Sequence, residues 1–94
     1  MNKYESVIII KPGIDEEGIK ALEDKFTGLI NENGKVAETK YMGLKKLAYE
    51  IEKNREAHYV LFDFEAKPEF IKELERIYRI TDEVLKFIVV RKEN

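Results

Sequence analysis

Two lysines, Lys45 and Lys46, stand directly before the run Leu47-Ala48-Tyr49-Glu50-Ile51, and Lys53 and Arg55 follow close behind. Ammonium and guanidinium groups at this density have the chemistry of a polyanion contact, because each phosphate they neutralise releases counterions. Aromatic rings interleave with them: Tyr41, Tyr49 and Tyr59 offer π-faces on which bases stack. The same lysines have a second, purely structural use. On the edge of a sheet they keep that edge from pairing with other chains.

The bulk charge conceals this segment. The chain has 94 residues and a formal net charge of -2, from 17 basic and 19 acidic side chains. Lys11 to Gly34 holds three basic residues against six acidic, whereas Lys35 to Arg55 holds six basic against three acidic. Binding follows a local patch rather than the sum, so a polyanion remains a credible partner of an acidic chain.

Other chemistries lack their parts. The chain has no cysteine, which removes disulfides, thiolate metal sites and cysteine nucleophiles, and His58 is its single histidine. A lone histidine in a strand reads as a packed, hydrogen-bonded residue. Ser6 is the only serine and has no nucleophile-elbow motif around it. Asp15-Glu16-Glu17 resembles a carboxylate cluster, but a helix N-terminus favours negative charge there without any catalysis. Lys11-Pro12-Gly13 is too short for a phosphate-binding glycine loop and lacks the lysine-serine/threonine ending. Small enzymes that cleave acyl phosphates need a glycine-rich anion loop and an arginine after their first strand, which Lys11-Pro12-Gly13-Ile14 does not supply. No enzymatic activity, metal, cofactor or small-molecule substrate is expected.

The elements that must position these residues follow from pattern. Lys3 to Ile10 predicts a strand whose run Val7-Ile8-Ile9-Ile10 belongs near the centre of a sheet, with both faces at least partly covered. Asp15 to Asn33 predicts a helix with an apolar stripe of Ile19, Leu22, Phe26, Leu29 and Ile30, stopped at Asn33-Gly34. Gly18 and Gly28 weaken that helix, with close packing as the one use offered for them. Lys35 to Glu52 predicts a long edge strand with a bulge or bend at Gly43. Lys53 to Glu56 predicts a turn, and Ala57 to Glu65 the strand that pairs back as a hairpin. A second helix opens at Pro68 and carries Phe70, Ile71, Leu74, Ile77 and Tyr78. Thr81-Asp82 predicts a loop, Val84 to Val90 a last strand, and Arg91 to Asn94 a polar tail. No stretch is long and apolar enough for a signal-peptide core or a membrane span, so no membrane partner is expected.

The order β-α-β-β-α-β is that of an α+β, ferredoxin-like sandwich. One domain over residues 1–94 is expected, with two helices on one face of a four-stranded antiparallel sheet. The other face is left open to a partner. The RNA-recognition module shares this topology, and its third-strand signature is matched here by Arg55, Tyr59, Val60 and Phe62. The signature's glycine and first stacking aromatic are absent. Phosphate and shape contacts are therefore expected ahead of bases splayed on the sheet.

Gly43-Leu44-Lys45-Lys46-Leu47-Ala48-Tyr49-Glu50-Ile51 closely resembles the signature of the bacterial small-subunit ribosomal protein S-six family. Tyr4-Glu5, Lys11-Pro12 with Asp15-Glu16, Lys53 to Tyr59, Glu73-Leu74-Glu75-Arg76, Arg79 to Leu85 and Val89-Val90-Arg91-Lys92 agree in order and spacing. Met42 stands where a tryptophan is common, and Glu52 where a basic or small residue is more usual. The resemblance implies a non-enzymatic, cytoplasmic component of the small ribosomal subunit. It implies that the protein pairs with ribosomal protein S-eighteen and binds, with it, the central domain of small-subunit ribosomal RNA during assembly. The runner-up reading is a regulatory ferredoxin-like module that binds a small ligand or self-associates through its sheet.

Within this frame, Lys45, Lys46, Lys53 and Arg55 on the hairpin, with Lys3, Arg79, Lys86 and Arg91 near the strand ends, are the expected phosphate contacts. Val7, Ile9, Tyr49, Tyr59 and Leu61 are the expected protein-partner contacts on the helix-free face. Val60, Phe62 and Phe64 alternate with them and belong to the core. Gly43 leaves the parity of Leu47, Tyr49 and Ile51 open.

Overall fold

In the computed structural model, which describes residues 1–92, the chain runs β1 (Asn2–Ile10), α1 (Glu16–Asn33), β2 (Gly34–Ile51), β3 (Asn54–Ala66), α2 (Pro68–Ile80) and β4 (Val84–Arg91). The strands form one sheet in the order β2-β3-β1-β4, with every neighbouring pair antiparallel. This is the expected ferredoxin-like α+β arrangement. β1 lies between β3 and β4, which explains its unbroken apolar run: Ile8 and Ile10 are fully buried and Ile9 nearly so.

Helix α1 starts where Asp15 caps it, its Oδ1 accepting a hydrogen bond from the Gly18 backbone N–H at 2.8 Å. Its stripe Ile19, Leu22, Phe26 and Ile30 packs with Phe70, Leu74 and Tyr78 of α2 onto Ile8, Ile10, Val60, Phe62 and Phe64. Phe26 is the keystone. Its ring meets Phe62 edge-on at 6.2 Å and Tyr78 at 4.8 Å between centroids. The Tyr78 hydroxyl, driven above the ordinary phenol range by burial, shares a 2.9 Å hydrogen bond with the buried Ser6 hydroxyl. The single serine is thus a core hydrogen-bonding group.

The structure moves the hairpin turn. It falls at Glu52-Lys53, not across Lys53 to Glu56, and Arg55 and Glu56 belong to β3. Both turn residues are left-handed, with φ of 47° and 68°. Two-residue hairpin loops take this conformation because it matches the twist of the flanking strands. The Asn54 side-chain amide steadies the turn by donating to the carbonyls of Ile51 (3.2 Å) and Glu52 (3.3 Å).

Two glycines earn their places for different reasons. Gly43 has φ of 98° at a register shift between Tyr41 and Gly43, which is the expected bulge. Gly34 is extended and is not a left-handed helix cap. A Cβ there would overlap the Glu65 carbonyl oxygen on the neighbouring strand. Arg91 is the last residue of β4, so the expected tail begins one residue later. Glu93 and Asn94 lie outside the described residues.

Candidate nucleic-acid interface

Residues directly opposite across paired strands share a face of the sheet. The registers therefore sort the helix-free face into three rows. One reads Gly43, Tyr59, Ile9, Lys86 from the β2 edge to the β4 edge. The next reads Lys40, Leu61, Val7, Ile88, and the third reads Glu38, Asp63, Glu5, Val90. Val7, Ile9, Tyr59 and Leu61 lie on this face, as the strand alternation required. Val60, Phe62 and Phe64 point the other way into the core.

The first row ends under the hairpin. The β2–β3 ladder breaks between Lys46 and Ile51, and the tip bends over the open face. Tyr49 there reaches the opposite edge of the sheet, where Lys86 Nζ donates to its hydroxyl at 2.9 Å. That bond holds the Lys86 pKa above the usual lysine value, so the group stays charged. Leu47, Tyr49, Ile51, Tyr59, Lys86 and Ile88 line a cup of about 220 Å³. Ile9 forms its floor and is only 6% exposed, because the tip covers it. Lys86 Nζ lies 5.6 Å from the centre of the Tyr49 ring, and Lys45 Nζ lies 5.6 Å from that of Tyr59. Each ring thus carries an ammonium within cation–π range.

The third row is different in kind. Glu38, Asp63 and Glu5 sit side by side across three strands. Like charges in direct opposition destabilise a sheet. Lys92 relieves one of them, with Nζ 3.0 Å from Asp63 Oδ2. Glu65, one step further out, stands opposite both Lys3 and Lys35. Beside the row, Ile88 and Val90 are half exposed.

The expected cations consequently divide. Lys45, Lys46, Lys53, Arg55 and Lys86 gather at the hairpin end, although Lys46 stands opposite Glu56 and Arg55 pairs with Glu50 at 3.1 Å. Lys3 and Arg91 lie at the opposite end of the sheet, where Arg91 donates to the Asn2 side chain at 3.3 Å. Arg79 sits in the last turn of α2, its guanidinium carbon 5.6 Å from the Phe87 ring centre. Sequence reasoning missed Ile88, Val90 and the carboxylate row. Alternation along Lys86, Ile88 and Val90 was the available signal for the first two. The row needed the register.

Tyr41, the third tyrosine considered for stacking, faces the helices. Its hydroxyl donates to His58 Nδ1 at 2.8 Å, while His58 Nε2–H donates to the Pro12 carbonyl at 3.2 Å. The carbonyl can only accept, which fixes this tautomer. His58 therefore ties β2, β3 and the β1–α1 loop together. Beside it, Ile14, Asp15, Glu16, Ile19, Glu23 and Tyr41 line a groove of about 580 Å³. Burial there raises the Glu23 pKa, with Lys20 opposing. Among the described residues, no cluster of three or more His, Asp or Glu side chains is placed to hold a metal ion, and no helix is long and apolar enough to cross a membrane.

The family model described as "Ribosomal protein S6" matches residues 3–91. "Small ribosomal subunit protein bS6" of Clostridium perfringens (strain 13 / Type A) is 47% identical over 94 residues, covering 99% of both chains. The protein of that name from Clostridium kluyveri (strain NBRC 12016) is 48% identical with the same coverage. The crystal structure of 30S ribosomal protein S6 from Thermotoga maritima superposes with a TM-score of 0.91 at 34% identity, covering 97% of this chain and 87% of that one.

Proposed function

The chain belongs to the ribosomal protein S6 family, and from that premise we propose that it is a non-enzymatic component of the cytoplasmic small ribosomal subunit. In this reading it folds as one domain and binds the central domain of small-subunit ribosomal RNA together with ribosomal protein S-eighteen. The observation that carries the proposal is the division of the open face, with Tyr49, Tyr59, Lys45 and Lys86 at the hairpin end and the row Glu38, Asp63 and Glu5 beside exposed Ile88 and Val90 at the other.

Each end suits one partner. Lys45, Lys46, Lys53, Arg55 and Lys86 belong to the hairpin end and are the phosphate contacts of this reading, and the carboxylate row lies away from them. Lys3, Arg79 and Arg91 stand apart and supply outlying phosphate contacts. A basic protein finds its complement at the far end, where Leu61, Val7, Ile88 and Val90 present apolar anchors beside Glu5 and Glu38. Apolar anchors rimmed by complementary charge are the usual anatomy of a specific interface. Tyr59 and Ile9 lie under the hairpin tip that carries Tyr49, so a partner reaches those two only along that margin.

The test is a titration of a labelled central-domain RNA fragment with this chain alone and then with S-eighteen. Tight binding that requires both proteins supports the reading, because a basic partner adds its own phosphate contacts to those of the hairpin end. No binding in either arm, with the fold intact by circular dichroism, overturns it.

A further inference from the structure

Resting on the RNA-binding reading, we infer that the cup beneath the hairpin tip is a pocket for one unstacked nucleotide of single-stranded RNA. Its base stacks against Tyr49 and Tyr59, and its phosphate is held by Lys45 and Lys86. Expectations from β3 alone pointed away from stacking, because the first aromatic of the strand signature is missing. The tertiary structure brings the second ring in from β2 instead.

The lining matches this ligand part by part. Each tyrosine ring already has a lysine ammonium 5.6 Å from its centre. A base that stacks on either ring takes the place of the ammonium on the ring face, and the flexible lysine turns to the phosphate that arrives with the base. Among the described residues, the lining contains Lys86 and no carboxylate, in contrast to the helix-side groove with Asp15, Glu16 and Glu23. Gly43 stands opposite Tyr59 with open space where a Cβ would be, which leaves that side of the ring uncrowded.

Size narrows the occupant further. The cup holds about 220 Å³, below the roughly 300–1,000 Å³ of pockets that enclose drug-sized ligands. One ring fits that scale. Lys86 presently donates to the Tyr49 hydroxyl, and an anionic phosphate oxygen makes the stronger acceptor. The interrupted ladder between Lys46 and Ile51 lets the tip adjust around the base. A basic protein would meet Lys45 and Lys86 here, whereas the far end of the same face offers it carboxylates.

The experiment measures fluorescence anisotropy of labelled oligo-adenosine, oligo-uridine and a duplex of matched length. Each is titrated with the full chain paired with S-eighteen across a range of salt. The single strands are expected to bind more tightly than the duplex. Tyr49→Leu keeps an apolar side chain and alters a ring that is 63% exposed, so the fold survives. One lost stacking contact should weaken single-strand binding by roughly 5- to 150-fold with the salt slope unchanged. Tyr59→Leu should act in the same direction. Lys45→Ala and Lys86→Ala should each flatten the slope by about 0.7.

Duplex binding as tight as single-strand binding overturns the inference. So does wild-type affinity in both tyrosine variants, or no oligonucleotide binding by the wild-type pair. If the tyrosine variants lose S-eighteen but keep RNA, the cup belongs to the protein partner. That result overturns the pocket while the ribosomal reading stands. Loss of binding to the central-domain fragment by the wild-type pair sinks both.

Discussion

The two ends of the open face are built on the same four strands and differ in almost every side chain. At the hairpin end, Tyr59, Ile9 and Lys86 lie beneath a tip that brings Tyr49 and Leu47 over them. At the other, Glu38, Asp63 and Glu5 form a line of carboxylates, with Lys92 set against it by an ion pair. A net charge of -2 describes neither end. Screening explains why: with a Debye length of roughly 8 Å at physiological salt, an approaching ligand responds to the charges beside it and not to the molecular total. One small face can thus address a polyanion and a basic protein together.

The largest predicted effect breaks both ends at once. Phe26→Ala empties a fully buried site between Phe62 and Tyr78. It should cost about 3–5 kcal/mol, a large share of the roughly 5–15 kcal/mol that holds a domain folded. Urea denaturation reads the loss directly. If RNA and partner binding persist at full strength in the unfolded chain, neither surface depends on the fold.

Leu61→Glu separates the ends. It puts a charge in the apolar row beside the carboxylates and should weaken heterodimer formation by about 30-fold, the level of an interface hot spot. The RNA salt slope should not change. Calorimetric titration supplies the affinity and a melting curve the control, since unfolding of this variant would make Leu61 a core residue.

Glu38→Lys is a milder cut at the same end. Charges at the rim act mainly on association rate, so stopped-flow mixing with S-eighteen should show slower, less salt-dependent binding. Unchanged kinetics would remove the carboxylate row from the interface. For the RNA side, Lys53→Ala should flatten the salt slope by about one unit. Lys3→Ala, at the far end of the sheet, should flatten it less. Equal effects would mean that the RNA wraps the whole sheet and that the two ends are not distinct.

Tyr49→Phe gives the smallest change. It removes only the hydroxyl that Lys86 holds. Hydrogen exchange at Leu47 to Ile51 should quicken, with RNA affinity nearly constant. No change in exchange would show that the tip is held by apolar contact with Ile9 and Ile88 alone.

Much of this architecture was legible in the chain. Short-range patterns placed the helices within a residue, identified the central strand from Val7 to Ile10, and sorted Val60, Phe62 and Phe64 from Tyr59 and Leu61. The bulge at Gly43 was legible because a left-handed backbone suits glycine. The turn was misplaced because Glu52 and Lys53 carry no glycine to announce their positive φ. The parity of Leu47, Tyr49 and Ile51 was not legible, since each bulge resets alternation and β2 has three register shifts. That Lys3 and Arg91 lie at the far end of the sheet from Lys45 and Lys53 was not legible for a similar reason. Lysine spacing says nothing of which end of a sheet a strand terminus reaches.

What the sequence determined by itself is local or cumulative. Hydrophobic period decided helix against strand, the element order decided the sandwich, and the segregation of charge decided that a polyanion was admissible. These depend on neighbours along the chain. Only the tertiary structure decided that Glu38, Asp63 and Glu5 form a row, that Tyr49 crosses to Lys86, and that Ile9 lies under the tip. Those contacts join residues far apart in sequence through strand register and the bend of one hairpin. A slip of one residue in that register would turn each side chain to the opposite face.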